Sequence, residues 1–369
     1  MGGGGELTPS EKFWRCFFVA ENEINKFTIL GETGSGKTCY LLGMYYEMTM
    51  GVAGYTLTTE NRDEARNLKT RYKMLSNKKL GQSRFPDPTD KVQTYKFELQ
   101  YALNSIADFE WIDYPGGFLD PMSENVNSEE YQAVEKTIKE SDILFICIDG
   151  ENLKGNDTRK KIRKVRAKCV NNINPYLNTI EGKFPPIAMI VTKYDLCATD
   201  TNEDEIKEIL TKSFSFFERD DVFIAVIPVS IGENIEDDNY SGDLDPLNVH
   251  LPILLGINFA LIRILELGRA LIREYKARIE NAELIKTSEE MSFFLWRNNK
   301  VIDEMKSYIK DAKQDIANIK EIAKYFKKSI NRINDDLEEI TMIFANGVWQ
   351  DENSINKMWD DLQSVANYF

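Results

Sequence analysis

The sequence predicts an α/β fold with a mostly parallel sheet, followed by a long α-helical, coiled-coil-like C-terminal region. Three observations lead there. From about residue 26 to 231, short apolar runs alternate with charged segments of helical period. The later runs are apolar at every position, as strands buried on both faces are. Beyond residue 251 the pattern changes to a sustained three-and-four spacing of apolar residues. Strands alternating with helices build a parallel sheet covered by helices on both faces.

Residues 1–25 are read as an N-terminal extension. "MGGGGELTPSEK" has no apolar signal-peptide core, and Glu6 stands where a myristoylation signal needs Ser or Thr, so a flexible start is expected. A domain is expected over 26–250. Its strands are "KFTIL", "VQTYKFEL", "FEWID", "DILFICID", "IAMIVTK" and "VFIAVIPVS", with helices near 128–140, 157–171 and 202–218. "GENIEDDNYSGDLDP" then reads as an acidic loop, and Pro252 suits a first helical turn. Residues 251–345 are expected to form a helical hairpin. One stripe is Leu254, Ile257, Leu261, Ile264, Leu271 and Tyr275; the other runs from Ile302 through Ile309, Ile316 and Ile330 to Ile340 and Phe344. The second helix would extend roughly 60 Å. "TSEE" at 287–290 reads as a capping box with Thr287 as N-cap, placing a new helix start near 288. A heptad fixes the seam and not the partner, so a packed bundle and a projecting stalk or dimer seam are both compatible with the stripe. Residues 346–369 are expected to be one more amphipathic helix, docked through Trp349 and Trp359.

The composition of the 369 residues, 42% hydrophobic and 29% charged, is that of a soluble globular protein. The apolar stretch 251–268 is interrupted by Asn258, Arg263 and Glu266, short of the ~18 clean residues of a membrane span, so no transmembrane helix is expected. The formal net charge of −14 argues against nucleic-acid binding. Five cysteines without a CxxC spacing read as reduced thiols of a cytoplasmic protein. His250 is the only histidine, which excludes a Cys/His zinc site and His-based catalysis.

"ILGETGSGKTCYLL" places Gly31-x4-Gly36-Lys37-Thr38 between a strand and a helix, the setting a phosphate-binding loop requires. Glycines let backbone N–H groups turn onto phosphate oxygens, and the following helix N-terminus adds positive charge. Lys37 is expected to bridge the β- and γ-phosphates and Thr38 to bind Mg²⁺. "IAMIVTKYDLC" ends a buried strand with Thr192-Lys193-Tyr194-Asp195. A carboxylate there accepts both N1–H and N2–H of guanine, a donor pair that adenine lacks. The stem of Lys193 lies over the base plane, and Ser230 in "PVSIGEN" supports the carboxylate.

With these motifs in order, the chain resembles a Ras-type GTPase of the translation-factor-related (TRAFAC) P-loop class over about residues 26–232. The resemblance implies binding of GTP and GDP through Gly31, Glu32, Thr33, Gly34, Ser35, Gly36, Lys37, Thr38 and Cys39. Thr192, Lys193 and Asp195 would read the base, with Ser230 and Ile231 in the last loop. Thr89, in "FPDPTDKV", resembles the switch I threonine, favoured over nearby Thr94 because it precedes a strand. Asp113 resembles the magnesium-side carboxylate, so Thr38, Thr89 and Asp113 would hold Mg²⁺. Gly116 resembles the γ-phosphate sensor. An ATPase of the AAA or helicase kind would follow Asp113 with a second acid, where this chain has Tyr114. More loosely, "GETGSGKT" resembles GTPases of bacterial conflict and defence systems, which implies an antiviral role.

Two departures bear on hydrolysis. Gly117 stands where Ras-type members have a water-orienting glutamine, and Thr33 where Ras has glycine. Arg84, as an arginine acting in cis, and Asp120 or Glu124 are the candidate substitutes. Catalysis is thus assigned to Lys37, Thr89, Gly116 and Arg84, and the function expected is a GTP-hydrolysing switch coupled to a helical partner-binding region. The alternatives are a GTP-dependent assembly protein with little turnover and a dynamin-like membrane GTPase. The last would use "MSFFLWR" at 291–297 as an apolar tip, although a core or protein interface is favoured for Phe293, Phe294, Leu295 and Trp296. "TRKKIRKVRAK" at 158–168 reads as a solvated basic helix face with Ile162 and Val165 packed inward.

Overall fold

The computed structural model describes residues 25–77, 83–116, 128–178, 180, 182, 184–233, 235, 242–291 and 299–367. The chain runs β1 (Asn25–Leu30), α1 (Lys37–Met50), β2 (Tyr55–Thr58), α2 (Arg62–Ser76), β3 (Gln93–Tyr101), β4 (Asn104–Asp113), α3 (Ser128–Lys139) and β5 (Ile143–Asp149). It continues through α4 (Thr158–Val165), a π turn, α5 (Asn171–Leu177), β6 (Ile187–Thr192), α6 (Glu203–Ser213) and β7 (Ile224–Pro228). Then follow α7 (Leu251–Met291), α8 (Asn299–Leu337), β8 (Met342–Ala345), β9 (Val348–Trp349) and α9 (Glu352–Asn367).

Among the described residues the strands form one sheet in the order β2-β3-β4-β1-β5-β6-β7-β8-β9. The central five, β4 to β7, are parallel, and both flanks are antiparallel. The all-apolar runs are the central strands: every residue of β6 is buried, as are Ile143 to Ile148 of β5. Each such aliphatic side chain contributes roughly 1.5–3 kcal/mol. Lys161, within the basic stretch, is not on the solvated face. It is buried, and its Nζ donates to the Asp200 carbonyl, Thr201 Oγ1 and Glu205 Oε1, joining α4 to α6. Val165 is buried and Ile162 partly so.

The chain divides into two compact units. The first is Asn25–Phe259 with Ile333–Lys357, so the expected domain 26–250 also takes in a returning segment. That return corrects the helical reading of 251–345. α8 stops at Leu337, and Phe344 lies in β8, paired with Ile224 of β7. Trp349 belongs to β9, where its indole donates to Thr211 Oγ1, and the last helix begins at Glu352. Asn346 (φ 54) and Gly347 (φ 77) make the tight turn of the β8–β9 hairpin.

The second unit takes in Ala260–Arg332 and the last residues from Met358. Ile272, Tyr275, Ile279 and Ala282 of α7 pack with Ile309, Ala312 and Ile319 of α8. Lys313 and Glu283 pair across them at 3.7 Å, in antiparallel register. The middle of the heptad stripe, Ile309 to Ile319, is therefore packed within the pair. Thr287 is not a cap: α7 continues past it, and its hydroxyl donates to the Glu283 carbonyl one turn back. Residues 292–298, with Phe293, Phe294, Leu295 and Trp296, lie outside the described residues.

α7 contains a window of mean hydropathy 1.8, long and apolar enough to cross a membrane by length and composition, and 67% of that window is buried. Its first turns bury Leu251, Leu254, Leu255 and Ile257, with Gly256 against Phe27 and Ile143 of the sheet. Asn258, fully buried, donates to Asn334 Oδ1 at 2.8 Å. Burial accounts for the apolarity of these first turns, Leu251 to Ile257.

Candidate functional site

The sequence folds β1 straight into the phosphate loop. Gly34 and Gly36 adopt φ of 82° and 85°, values that favour glycine, and Gly36 caps α1 without a side-chain bond. The first N–H groups of α1 are thereby left facing an anion site. Lys37 is buried; its Nζ donates to the carbonyls of Gly31 at 2.8 Å and Glu32 at 3.0 Å. Glu32 is held from outside by Asn152 at 3.3 Å, and burial raises its carboxyl above the usual range.

Three oxygen-bearing side chains meet beside the loop. Thr38 Oγ1 lies 3.3 Å from Thr89 Oγ1, and Thr89 donates to Asp113 Oδ2 at 3.5 Å. Asp113 ends β4 and is buried, and its Oδ1 has no partner among the described residues. Burial pushes its carboxyl up to about 6, against the pull of Lys37 and the Thr89 bond. One carboxylate and two hydroxyls, with an orphaned buried oxygen, fit a hard cation that takes its remaining ligands from phosphates and water, as Mg²⁺ does. No cluster of three or more His, Cys, Asp or Glu exists among the described residues.

Gly116 sits against the loop: a Cβ there would fall 2.1 Å from the Thr33 nitrogen. Only a glycine fits at that approach. Gly117, Asp120 and Glu124 lie outside the described residues.

On the base side, Lys193 takes a left-handed conformation (φ 50) and its Nζ pairs with Asp149 Oδ2 at 2.8 Å. Asp195 Oδ1 accepts from Ser230 Oγ at 2.6 Å, and Ser230 Oγ accepts from the Gly232 N–H at 3.1 Å. Thr192 Oγ1 lies 2.6 Å from the Ser35 carbonyl and 3.2 Å from that of Ile148. Its one proton is committed to backbone, so Thr192 ties the end of β6 to the glycine-rich loop.

One cavity of about 300 Å³ joins these parts. Thr33, Gly34, Gly36, Lys37, Thr38 and Cys39 of the glycine-rich loop and α1 line it, together with Thr192, Lys193, Asp195 and Ile231 from the ends of β6 and β7, and Thr89 and Gly116. Burial pushes the Cys39 thiol up to about 11, so it is a neutral wall group. Arg84 is not among the lining residues. It is buried, with Nη1 bound to the Ile235 carbonyl at 2.8 Å, which does not place it where a cis arginine would act.

Asp149 and Gly150 also support the Lys193 loop, and none of the motifs read from the sequence includes them. The β5–β6 register sets Asp149 beside Thr192, and a Cβ on Gly150 would fall 2.5 Å from the Lys193 carbonyl oxygen. The "IDG" at 148–150, where the apolar run 143–148 ends, is the signal in the sequence. Gly150→Ala is expected to push the Lys193–Asp195 loop outward and weaken GTP binding by about tenfold, since forced backbone shifts cost ~1–3 kcal/mol. Titration of the variant with a fluorescent GTP analogue checks this; unchanged affinity would show that the base loop is not held there.

A family model described as Double-GTPase 2 matches residues 26–230. No curated protein matches the chain. Among solved structures, the S. cerevisiae Ski7 GTPase-like domain bound to GTP is similar at 17% identity and a TM-score of 0.32, over 62% of this chain and 49% of that one. This chain thus spans about half of the Ski7 chain. A variant of Aquifex aeolicus Era bound to GDP·AlF4⁻ is similar at 13% identity and a TM-score of 0.30, over 66% and 67% of the two chains. An oligomerised bacterial dynamin pair aligns at 10% identity and a TM-score of 0.26, over 100% of this chain and 71% of that one.

Proposed function

Because the chain belongs to the Double-GTPase 2 family, we propose that it binds GTP with Mg²⁺, hydrolyses it to GDP and phosphate, and uses the two nucleotide states as a switch. The observation that supports this reading is convergence at one cavity: Lys37, Thr38, Thr89 and Asp195 line it, and buried Asp113 lies behind Thr89, which donates to it. Lys37 exchanges the carbonyls of Gly31 and Glu32 for β- and γ-phosphate oxygens. Asp195 accepts from the guanine edge while Ser230 holds it. Thr38, Thr89 and Asp113 would hold Mg²⁺, which would supply positive charge against the transferring phosphoryl group. The Gly116 N–H donates to a γ-phosphate oxygen. In the reaction, a water oxygen bonds to the γ-phosphorus as the bond to the β–γ bridging oxygen breaks. The electron pair leaves with GDP, and the water's proton ends on the phosphate.

Release of phosphate frees Thr89 and Gly116 from their γ-phosphate contacts, the order-to-disorder change on which such switches run. A link from the Ser230 loop to the helices is supported by connectivity. β7 leads directly to Ser230, and its other edge pairs with β8, the strand that follows α8. The partner we propose is a protein bound through α7 and α8, where Leu284, Ile285 and Tyr325 are exposed.

The test is turnover by the full chain with GTP or ATP, with Mg²⁺ and after chelation. GDP is expected to form from GTP only, and chelation is expected to stop it. Equal turnover of ATP would overturn the base assignment. Tight GTP binding without turnover would favour an assembly role.

A further inference from the structure

Five consecutive residues, Phe85 to Thr89, line the nucleotide cavity, and the segment is fastened at both ends. Thr89 reaches Thr38 and Asp113, the groups assigned to Mg²⁺ and the triphosphate. At the other end stands Arg84, which does not line the cavity. It is 5% exposed, and its guanidinium donates to the carbonyl of Ile235. Ile235 also lines the cavity, on the side of Asp195 and Gly232. A charged donor buried against a backbone carbonyl is costly to part, because both groups lose their partner away from water. Pro86 and Pro88 fix φ at two of the positions between the fastenings, so the segment behaves as a stiff strap.

We infer that Arg84 is a positioning residue that clamps the 85–89 strap to the base-side loop at Ile235, and so sets how long guanine nucleotide stays bound. This rests on the reading of the cavity as a guanine-nucleotide site. The two fastenings answer to different things. Thr89 answers to the γ-phosphate and the metal. Arg84 holds polypeptide to polypeptide, so its effect is the same for GDP and GTP.

Dissociation of fluorescent GDP and of a non-hydrolysable fluorescent GTP analogue tests the clamp. Arg84→Met is expected to speed release of both by the same factor, about tenfold or more. Unchanged GDP release, or lower single-turnover hydrolysis with release unaffected, would overturn the inference and return Arg84 to the γ-phosphate. Should Arg84→Met fail to fold, Arg84→Gln, which keeps a donor but is too short to reach Ile235, carries the same expectation and the same refutation. Failure of the unmutated protein to bind either nucleotide would defeat the reading of the cavity. Normal binding with unchanged release in the variant would defeat the clamp alone.

Discussion

Lys37→Ala is expected to lower GTP affinity by about a hundredfold to ten-thousandfold and to abolish turnover. The ammonium is buried at the floor of the loop, satisfied by two loop carbonyls. Those carbonyls need no partner so strong, whereas the β- and γ-phosphates together carry several negative charges into a partly buried site. Charge-assisted hydrogen bonds of this kind contribute ~1.5–3 kcal/mol each, and Lys37 is placed to make at least two. The loss should be larger for GTP than for GDP, because only GTP presents the γ-phosphate. Titration calorimetry with both nucleotides measures the difference. GTP affinity equal to that of the unmutated protein would mean that the loop does not bind phosphate.

Asp195→Asn is expected to weaken GTP by about a hundredfold or more and to improve xanthosine triphosphate. The direction follows from Ser230. Its hydroxyl donates to Oδ1 of Asp195, so an asparagine settles with its oxygen toward Ser230 and its NH2 toward the base. That NH2 then faces the N1–H and N2–H donors of guanine, donor against donor, and a site built for one hydrogen-bond pattern rejects another strongly. Xanthine replaces the 2-amino group by a carbonyl, which the NH2 can donate to. Competition between the two triphosphates for the variant is the measurement. A variant that still prefers GTP would place base recognition elsewhere.

The parts of the site legible in the sequence were those whose chemistry is local. A phosphate loop is one stretch of backbone, Asp113 ends a recognisable apolar strand, and Asp195 follows another within three residues. Arg84, Asp149 and Gly150 depend on partners set by tertiary structure. Ile235 is brought to Arg84 from across the chain, and Lys193 to Gly150 by strand register. A basic residue before a proline-rich loop reads equally as a catalytic arginine and as an anchor. In the fold, the central strands were legible from continuous apolarity. β2 is four residues long, too short to show a period. β8 was absorbed into the helical stripe because Ile340 and Phe344 continue the three-and-four spacing by coincidence. The Asn346–Gly347 dipeptide was the signal against that reading, since it marks a hairpin more strongly than two further apolar positions mark a helix. Thr287 misled in the opposite sense: a capping-box pattern inside a helix costs little, because a threonine hydroxyl can bond one turn back.

The strand that returns after the helices also orders events at the ribosome. β7 exposes an apolar edge, Ile224 to Ile227, whose partner β8 is synthesised only after both long helices. Until then the nascent sheet carries an unpaired, sticky border next to the base-reading loop, the kind of edge that invites pairing with the wrong chain. The sheet is thus closed by a strand that emerges only after both long helices. A protein cut after residue 250 would keep every nucleotide-binding motif and lose the strand that seals the sheet.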